Sequence, residues 1–315
     1  MTWLWVTVLA LLAAVLILSY FAYRKAFYAS PRGRTEPLTP PQEEQYLRHE
    51  PHMSELISLI RSIPYERIEI TAHDGTRLVG RYIHVRDGAP LQIQCHGYRG
   101  GPSRDFSGGN KLAREMGHNT LLIEQRAHSE SGGRTITFGI RERHDCLDWV
   151  RYAVSRFGAD TRILLVGVSM GAATVLMASA LDLPPQVCGI IADSPYSSPY
   201  AIIRKVCGET GLPPAPSMPL VCLGARLYGG FSLRAVSAIE AVRHATVPLL
   251  IIHGEDDRFV PCDMSREIAV SAAQAGRDVT LYTVKDAGHG ISFIEEPEGY
   301  RQTVERFAER CLRKE

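Results

Sequence analysis

The chain has 315 residues, 45% of them hydrophobic, and a formal net charge of +1. A balance this close to neutral gives no electrostatic pointer to nucleic acid, and neither a G-x-x-x-x-G-K-[ST] phosphate loop nor a dinucleotide fingerprint occurs, so no cofactor is expected. Behind the N-terminal segment, roughly 250 residues suffice for one large α/β core and leave no room for a second catalytic domain.

Trp3 to Ala22 are twenty residues without a charged side chain. As a helix they span about 30 Å, the hydrocarbon thickness of a bilayer. Trp3 and Trp5 at one end, with Tyr20, Phe21 and Tyr23 at the other, match interfacial aromatic belts. A cleaved signal peptide fits less well, because no basic residue precedes the run, the run is long, and no small-x-small cleavage site follows. Residues 1–28 are therefore expected to be a single membrane anchor. Arg24, Lys25, Arg32 and Arg34 all follow it, which by the positive-inside rule puts the remaining chain on the cytoplasmic side.

From Ala29 to about Pro41 the composition is that of a juxtamembrane linker, rich in proline and charge. Met53 to Ile63 has the apolar spacing of a short helix packed on the following domain, so residues 29–63 form one unit of linker and helix. The histidines of His49-Glu50-Pro51-His52 have the wrong spacing for a metalloprotease helix, and the proline is expected to break it; no metal is predicted.

The strands expected at Arg67 to Thr71 and Leu78 to Val85 are joined by His73-Asp74-Gly75, a tight connection that suits an antiparallel start. A third strand, Leu91 to Cys95, runs into His96-Gly97-Tyr98-Arg99-Gly100. The helical stretch Lys111 to Met116 precedes a strand at Thr120 to Ile123, and Ile140 to Phe157 places Leu147, Val150 and Val154 on one helical face. Alternating strands and helices argue for a mostly parallel, doubly wound sheet with both faces covered.

The apolar run Ile163-Leu164-Leu165-Val166 leads directly into Gly167-Val168-Ser169-Met170-Gly171 and then a small-residue helix from Ala172 to Ala180. A strand-to-helix turn this sharp needs glycine at both flanks, because a β-carbon would collide with the crossing elements, and it exposes the serine at its apex. A serine hydroxyl is a poor nucleophile at neutral pH. It needs a histidine to take its proton and a carboxylate to hold that histidine. After the strand Val247 to Ile252 comes His253-Gly254-Glu255-Asp256-Asp257-Arg258-Phe259-Val260-Pro261; after Val279 to Val284 comes Asp286-Ala287-Gly288-His289-Gly290. Both lie past the carboxyl ends of strands, where sites form in parallel sheets. The candidate triad is Ser169, Asp257 and His289, with Glu255 and Asp256 as neighbouring alternatives for the carboxylate.

Between the strand Gly189 to Ala192 and the strand at Val247, residues 195–240 interrupt the rhythm. Pro213, Pro214, Pro216 and Pro219 are expected to break this stretch into short helices forming a lid over the serine, where substrate selection would reside. Seven dispersed cysteines without a C-x-x-C pair read as free thiols in a reducing compartment.

The elbow at Ser169, the H-G-x-x-D-x-x-V-P segment ending at Pro261, the A-G-H loop at His289 and the H-G-Y-x-G segment at His96 together resemble the α/β-hydrolase superfamily, in the group that includes serine aminopeptidase-like and prolyl-oligopeptidase-like hydrolases. The resemblance runs from roughly Ile68 to Cys311. It implies an α/β-hydrolase fold with a small helical lid over residues 64–315, the family's spacing favouring Asp257 as the acid. It also implies an oxyanion hole made of the backbone N–H groups of Tyr98 and Met170; His96 then reads as a structural histidine. One departure is local: relatives commonly carry an aspartate, an arginine and a glycine-rich turn where this chain has Glu124 to Gly133. That stretch is either a remodelled substrate-facing loop or a solvated polar connection.

The expected activity is two-step acyl transfer on a small, lipophilic carboxylic ester or thioester. A peptidase of the serine aminopeptidase kind, acting on short peptides, would use the same triad but wants acidic lid residues, and residues 195–240 offer only Glu209 and Glu240. A non-catalytic membrane-tethered scaffold is the reading from another class. A dehalogenase or epoxide hydrolase would carry aspartate at the elbow.

Overall fold

The computed structural model describes residues 2–32, 34–211 and 213–313. The N-terminal helix α1 (Thr2–Ala26) is followed by a short turn of helix α2 (Glu44–Leu47) and by α3 (Glu50–Arg61). Then come β1 (Glu66–Thr71), β2 (Arg77–Ile83), β3 (Leu91–Cys95), α4 (Pro102–Asp105), α5 (Ser107–Glu115), β4 (Asn119–Glu124), α6 (Glu142–Phe157), β5 (Ile163–Val168), α7 (Met170–Ala178) and β6 (Val187–Asp193). The chain continues through α8 (Pro199–Glu209), α9 (Pro214–Leu227), α10 (Ala238–Ala241), β7 (Leu249–Gly254), α11 (Cys262–Gln274), β8 (Val279–Val284), α12 (Ser292–Glu295) and α13 (Pro297–Leu312).

The eight strands form one sheet in the order β1-β2-β4-β3-β5-β6-β7-β8. β1, β2 and β4 pair antiparallel, and every pair from β4/β3 to β7/β8 is parallel. Strand residues alternate between two cores, as the two-residue period of a strand requires. Ile163 and Leu165 of β5, and Leu249 and Ile251 of β7, join the core under α6, α7 and α11. Leu164 and Leu250 face α5 and α13 on the other side, with Tyr300, Val304 and Phe307. Burial on both faces explains why these strands read as unbroken apolar runs.

Three local expectations change. Pro51 lies in the first turn of α3 and starts that helix, since the first N–H groups of a helix have no intrahelical acceptor to lose. For the same reason the prolines at 213–219 do not fragment their segment: Pro213 caps α9, Pro214 and Pro216 occupy its first turn, and only Pro219 lies inside a continuous 14-residue helix. The third concerns residues 29–63. After α1, Tyr28 bridges to Thr135, and Glu36 then pairs with Arg81 at 2.8 Å and accepts from the Ser103 amide at 2.5 Å. Arg48 pairs with Glu295 and donates to the Asp286 carbonyl, while Tyr46 and Met53 pack on Ile291. The stretch read as a linker is a strap bound across the carboxyl edge of the sheet.

Candidate active site

Ser169 sits between β5 and α7 with φ +56° and ψ −117°, outside the regions a side-chain-bearing residue ordinarily adopts. The flanking glycines make that turn possible. A β-carbon at Gly167 would run into the Gly171 carbonyl, and one at Gly171 into the Cys95 carbonyl. The strained backbone lifts the hydroxyl above the sheet, where His289 Nε2 lies 2.8 Å from Ser169 Oγ.

The histidine is carried by the loop after β8, which is laced to the end of β7: Glu255 N donates to Val284 O and Asp256 N to Ala287 O. Its Nδ1 lies 2.6 Å from Asp257 Oδ2. Since a carboxylate only accepts, Nδ1 carries the proton and Nε2 is free to accept from Ser169. Glu255 and Asp256, the neighbouring carboxylates, are exposed, and Glu255 accepts from Thr283 Oγ1. Of the three, the structure brings Asp257 alone to His289.

Asp257 is held from every side. Its Oδ1 accepts from the amides of Phe259 and Val260 at 2.8 and 2.7 Å, and its Oδ2 also lies 3.1 Å from Nε2 of the fully buried His253. That Nε2 faces a second acceptor, the Val260 carbonyl at 2.8 Å, so it is the protonated nitrogen, and Nδ1 accepts from Ser265 Oγ at 2.6 Å. Burial alone would raise the Asp257 pKa, but the charge of His289 and the hydrogen bonds from His253 and His289 outweigh it and hold the carboxyl well below the usual carboxylate range. For His289 burial disfavours the imidazolium; the charge and hydrogen bond of Asp257, with smaller contributions from Asp193 and Asp105, overcome this and leave its pKa raised.

The two candidate oxyanion donors come from the ends of β3 and β5. Neither the Tyr98 nor the Met170 N–H meets an acceptor among the described residues. The loop after β3 is fixed around them: Gly97 N donates to Asp105 Oδ2 at 2.8 Å and Arg99 N to His128 Nε2 at 3.0 Å. His96 is buried, with Nδ1 2.8 Å from Gly97 O and Nε2 accepting from Gln125 N, so it supports the loop and faces no substrate space. Burial lowers the pKa of His96 and takes that of His128 down to about 3, keeping both neutral.

The stretch from Glu124 to Gly133 fits neither expectation. Glu124 to His128 are buried, and none of the stretch lines the cleft. Glu124 pairs with Arg81 at 2.9 Å and accepts from the Glu130 amide; Arg126 makes a bidentate pair with Asp145 and a third contact with Asp74. Its buried part, Glu124 to His128, buttresses the loop after β3 through His128 and Gln125. His73, Asp145 and Asp148 each bring a ligand atom within 4.8 Å of one another, but Asp145 is already neutralised by Arg126, and the cluster lies outside the cleft.

The cleft over Ser169 has a volume of about 380 Å³. Its walls correct the lid expectation. No described residue of 195–240 lines it; the strap does, through Pro41, Glu43, Gln45 and Tyr46, together with Met53 and Leu56 of α3. Gln45 Oε1 accepts from the His289 amide at 3.2 Å. Phe106, Phe259, Phe293 and Ile294 add apolar wall, with the Phe259 ring 5.2 Å from that of His289, beside the charged Glu43, Arg99 and Arg104. The apolar side chains of 195–240 are used elsewhere: Ile202, Ile203, Met218, Val221 and Ala225 are buried in the same core as Tyr23 and Phe27 of the N-terminal segment. Tyr46, Met53, Leu56, Asp105 and Asp193 are cleft residues that the sequence reading missed. The helical periodicity of α3 signalled a buried face, but nothing local said that this face meets Ser169.

The alpha/beta hydrolase family profile matches residues 95–303, more than half of the chain. The uncharacterized protein YqkD of Bacillus subtilis (strain 168) is 26% identical over 249 residues, covering 77% of this chain and 80% of that one. The human protein ABHD12B is 25% identical over 279 residues, 83% of this chain and 70% of its own length. Among solved structures, the Pyrococcus furiosus esterase Pf2001 superposes with a TM-score of 0.65 at 22% identity, covering 89% of this chain and 99% of the esterase. The Pyrococcus horikoshii acylaminoacyl peptidase superposes at 0.58 and 17% identity over 82% of this chain and 43% of the peptidase. At these identities the two structures bear on the fold alone.

Proposed function

The chain belongs to the alpha/beta hydrolase family, and from that premise we propose that it is a serine hydrolase cleaving a lipophilic carboxylic ester or thioester. One observation carries the reading: His289 lies within hydrogen-bond distance of both Ser169 Oγ and Asp257 Oδ2, in a cleft partly walled by Met53, Leu56, Phe106, Phe259 and Phe293.

In this reading His289 Nε2 takes the hydroxyl proton as Ser169 Oγ attacks the carbonyl carbon. Asp257 stabilises the resulting imidazolium without itself taking the proton. The oxyanion settles between the Tyr98 and Met170 amides, each worth about 3 kcal/mol in comparable sites. His289 then protonates the leaving alkoxide or thiolate. Water, activated by the same imidazole, releases the acid and restores Ser169. The peptidase alternative asks for a free carboxylate to hold a substrate ammonium. Of the carboxylates lining the cleft, Asp105 is taken by Gly97 N and Arg104, and Asp193 by Ser194 and Tyr300; Glu43 at the rim is the one exposed carboxylate among the described lining residues that such an ammonium could use.

The same reading keeps α1 as a single bilayer span within residues 1–28, with Arg24 and Lys25 at its cytoplasmic end, residues 29–63 as the strap, and 64–315 as the catalytic domain. Fluorophosphonate labelling of the full-length protein in native membranes tests the chemistry. Wild type is expected to label, and Ser169→Ala and His289→Ala are not. Labelling that survives Ser169→Ala, or its absence in folded wild type, overturns the proposal and moves the scaffold reading ahead.

A further inference from the structure

Helix α9 runs antiparallel to the C-terminal third of α1. Tyr228, just past α9, donates from its hydroxyl to the Leu16 carbonyl at 3.1 Å, and its ring lies 5.2 Å from that of Tyr20 and 6.0 Å from that of Tyr23. One turn earlier, Gly224 lies so close to the Ser19 carbonyl that a β-carbon would collide with it. Ser19 and Tyr23 are buried at this crossing, while the rest of α1 is largely exposed.

These contacts conflict with a bilayer that ends before α9. If α9 stayed in water, only Thr2 to Val15 would remain for the hydrocarbon, about 21 Å where about 30 Å is needed. If instead Trp3 to Ala22 fill the hydrocarbon, Leu16 lies about 9 Å inside its boundary, and whatever touches Leu16 lies there too. The composition of α9 suits that depth. Residues 211–225 carry no charged side chain. Leu227 is 53% exposed, and Tyr228, packed on Tyr20 and Tyr23 along one side, still exposes 39%. Arg226 is exposed beside them, on a stem long enough to return its guanidinium to the phosphate layer.

We propose that the C-terminal end of α9, through Leu227 and Tyr228, is a wedge inserted into the acyl region of the leaflet nearest the catalytic domain. The inference rests on the reading of α1 as a span. The protein then holds the bilayer by two elements at different depths, and the domain cannot swing freely about its anchor.

Depth-dependent quenching tests this on the full-length chain in phosphatidylcholine vesicles. The two partly exposed thiols are removed as Cys207→Ser and Cys222→Ser, the other five cysteines being buried, and a fluorophore is placed at Leu227→Cys, Glu209→Cys or Leu9→Cys. At Leu227→Cys, lipid bearing a nitroxide on its acyl chain is expected to quench more than lipid bearing it on the headgroup, by about twofold or more. Glu209→Cys, at the far end of α8, is expected to be unquenched by the acyl-chain label. Acyl-chain quenching at Leu9→Cys without it at Leu227→Cys overturns the wedge and leaves the span standing. Its absence at both positions overturns the span and the wedge together.

Discussion

The hydroxyl of Tyr98 donates a hydrogen bond to the carbonyl of Ala26 at 2.8 Å, so the loop carrying a candidate oxyanion amide is tied by its side chain to the last turn of the N-terminal helix. Arg99 reinforces the tie, donating from Nη2 to the Lys25 carbonyl at 2.9 Å. The last four carbonyls of a helix have no intrahelical donor, and here two of them are satisfied by residues lining the candidate cleft. Tyr98→Phe removes the hydroxyl and leaves the amide. One neutral hydrogen bond is worth about 1 kcal/mol, so kcat for a chromogenic ester in the full-length enzyme is expected to fall about fivefold with KM little changed. An unchanged kcat would mean that the loop holds its geometry without α1.

The carboxylate assignment is checked by two isosteric changes. Asp257→Asn can no longer enforce the Nδ1–H tautomer of His289, and a loss of about 10⁴-fold in kcat is expected. Asp256→Asn alters an exposed side chain and is expected to stay within about twofold. Steady-state ester hydrolysis separates them, and a large loss in Asp256→Asn would reverse the assignment.

The pH profile follows from the charges facing His289. Only neutral imidazole can take the Ser169 proton, and the His289 pKa is raised above 6.5, so kcat/KM is expected to fall as the pH drops through a midpoint above 6.5. Asp193 is among the charges that raise it. Asp193→Asn should therefore move the acid limb to lower pH; a limb that stays fixed would show that Asp193 exerts no charge on the histidine.

Two glycines should behave oppositely. Gly171→Ala drives a β-carbon into the Cys95 carbonyl, a backbone atom of a central strand that cannot move aside. Little or no folded protein is expected. Gly208 lies in α8, where an added β-carbon meets nothing closer than Pro214 Cγ at 3.7 Å. Gly208→Ala is expected to stabilise by about 0.5–1 kcal/mol, chiefly by restricting the unfolded chain. Thermal melts of the two variants test both directions.

On the proposed ester reading, the strap and α3 are expected to set acyl-chain selectivity, and a bulky residue tells this apart from a lid at 195–240. Met53→Trp fills part of a cleft of about 380 Å³. It is expected to lower kcat/KM for an octanoate ester by about tenfold relative to acetate, at one to two kcal/mol of lost contact or added clash. Leu223→Trp in α9 should leave that ratio unchanged. The reverse pattern would return substrate selection to the 195–240 segment.

What the sequence determined by itself was whatever a few neighbouring residues decide. The elbow at Ser169 is legible because its glycines answer to local crowding between β5 and α7, and strands β5 and β7 because burial on both faces leaves unbroken apolar runs. The alternation of strands and helices then points to a mostly parallel sheet, whose carboxyl edge holds Ser169, His289 and the Glu255-Asp256-Asp257 run; the family resemblance favours Asp257 among the three. Tertiary structure alone decided what covers that edge. Gln45 and His289 are 244 residues apart, and Glu36, Arg81 and Glu124 meet only because β2 lies beside β4. A proline- and charge-rich stretch reads as a linker until its charges find partners, and an apolar insert reads as a lid until a helix from the other end of the chain occupies it. Whether a side chain is solvated or buried depends on surfaces far away in sequence, and no local pattern carries that information.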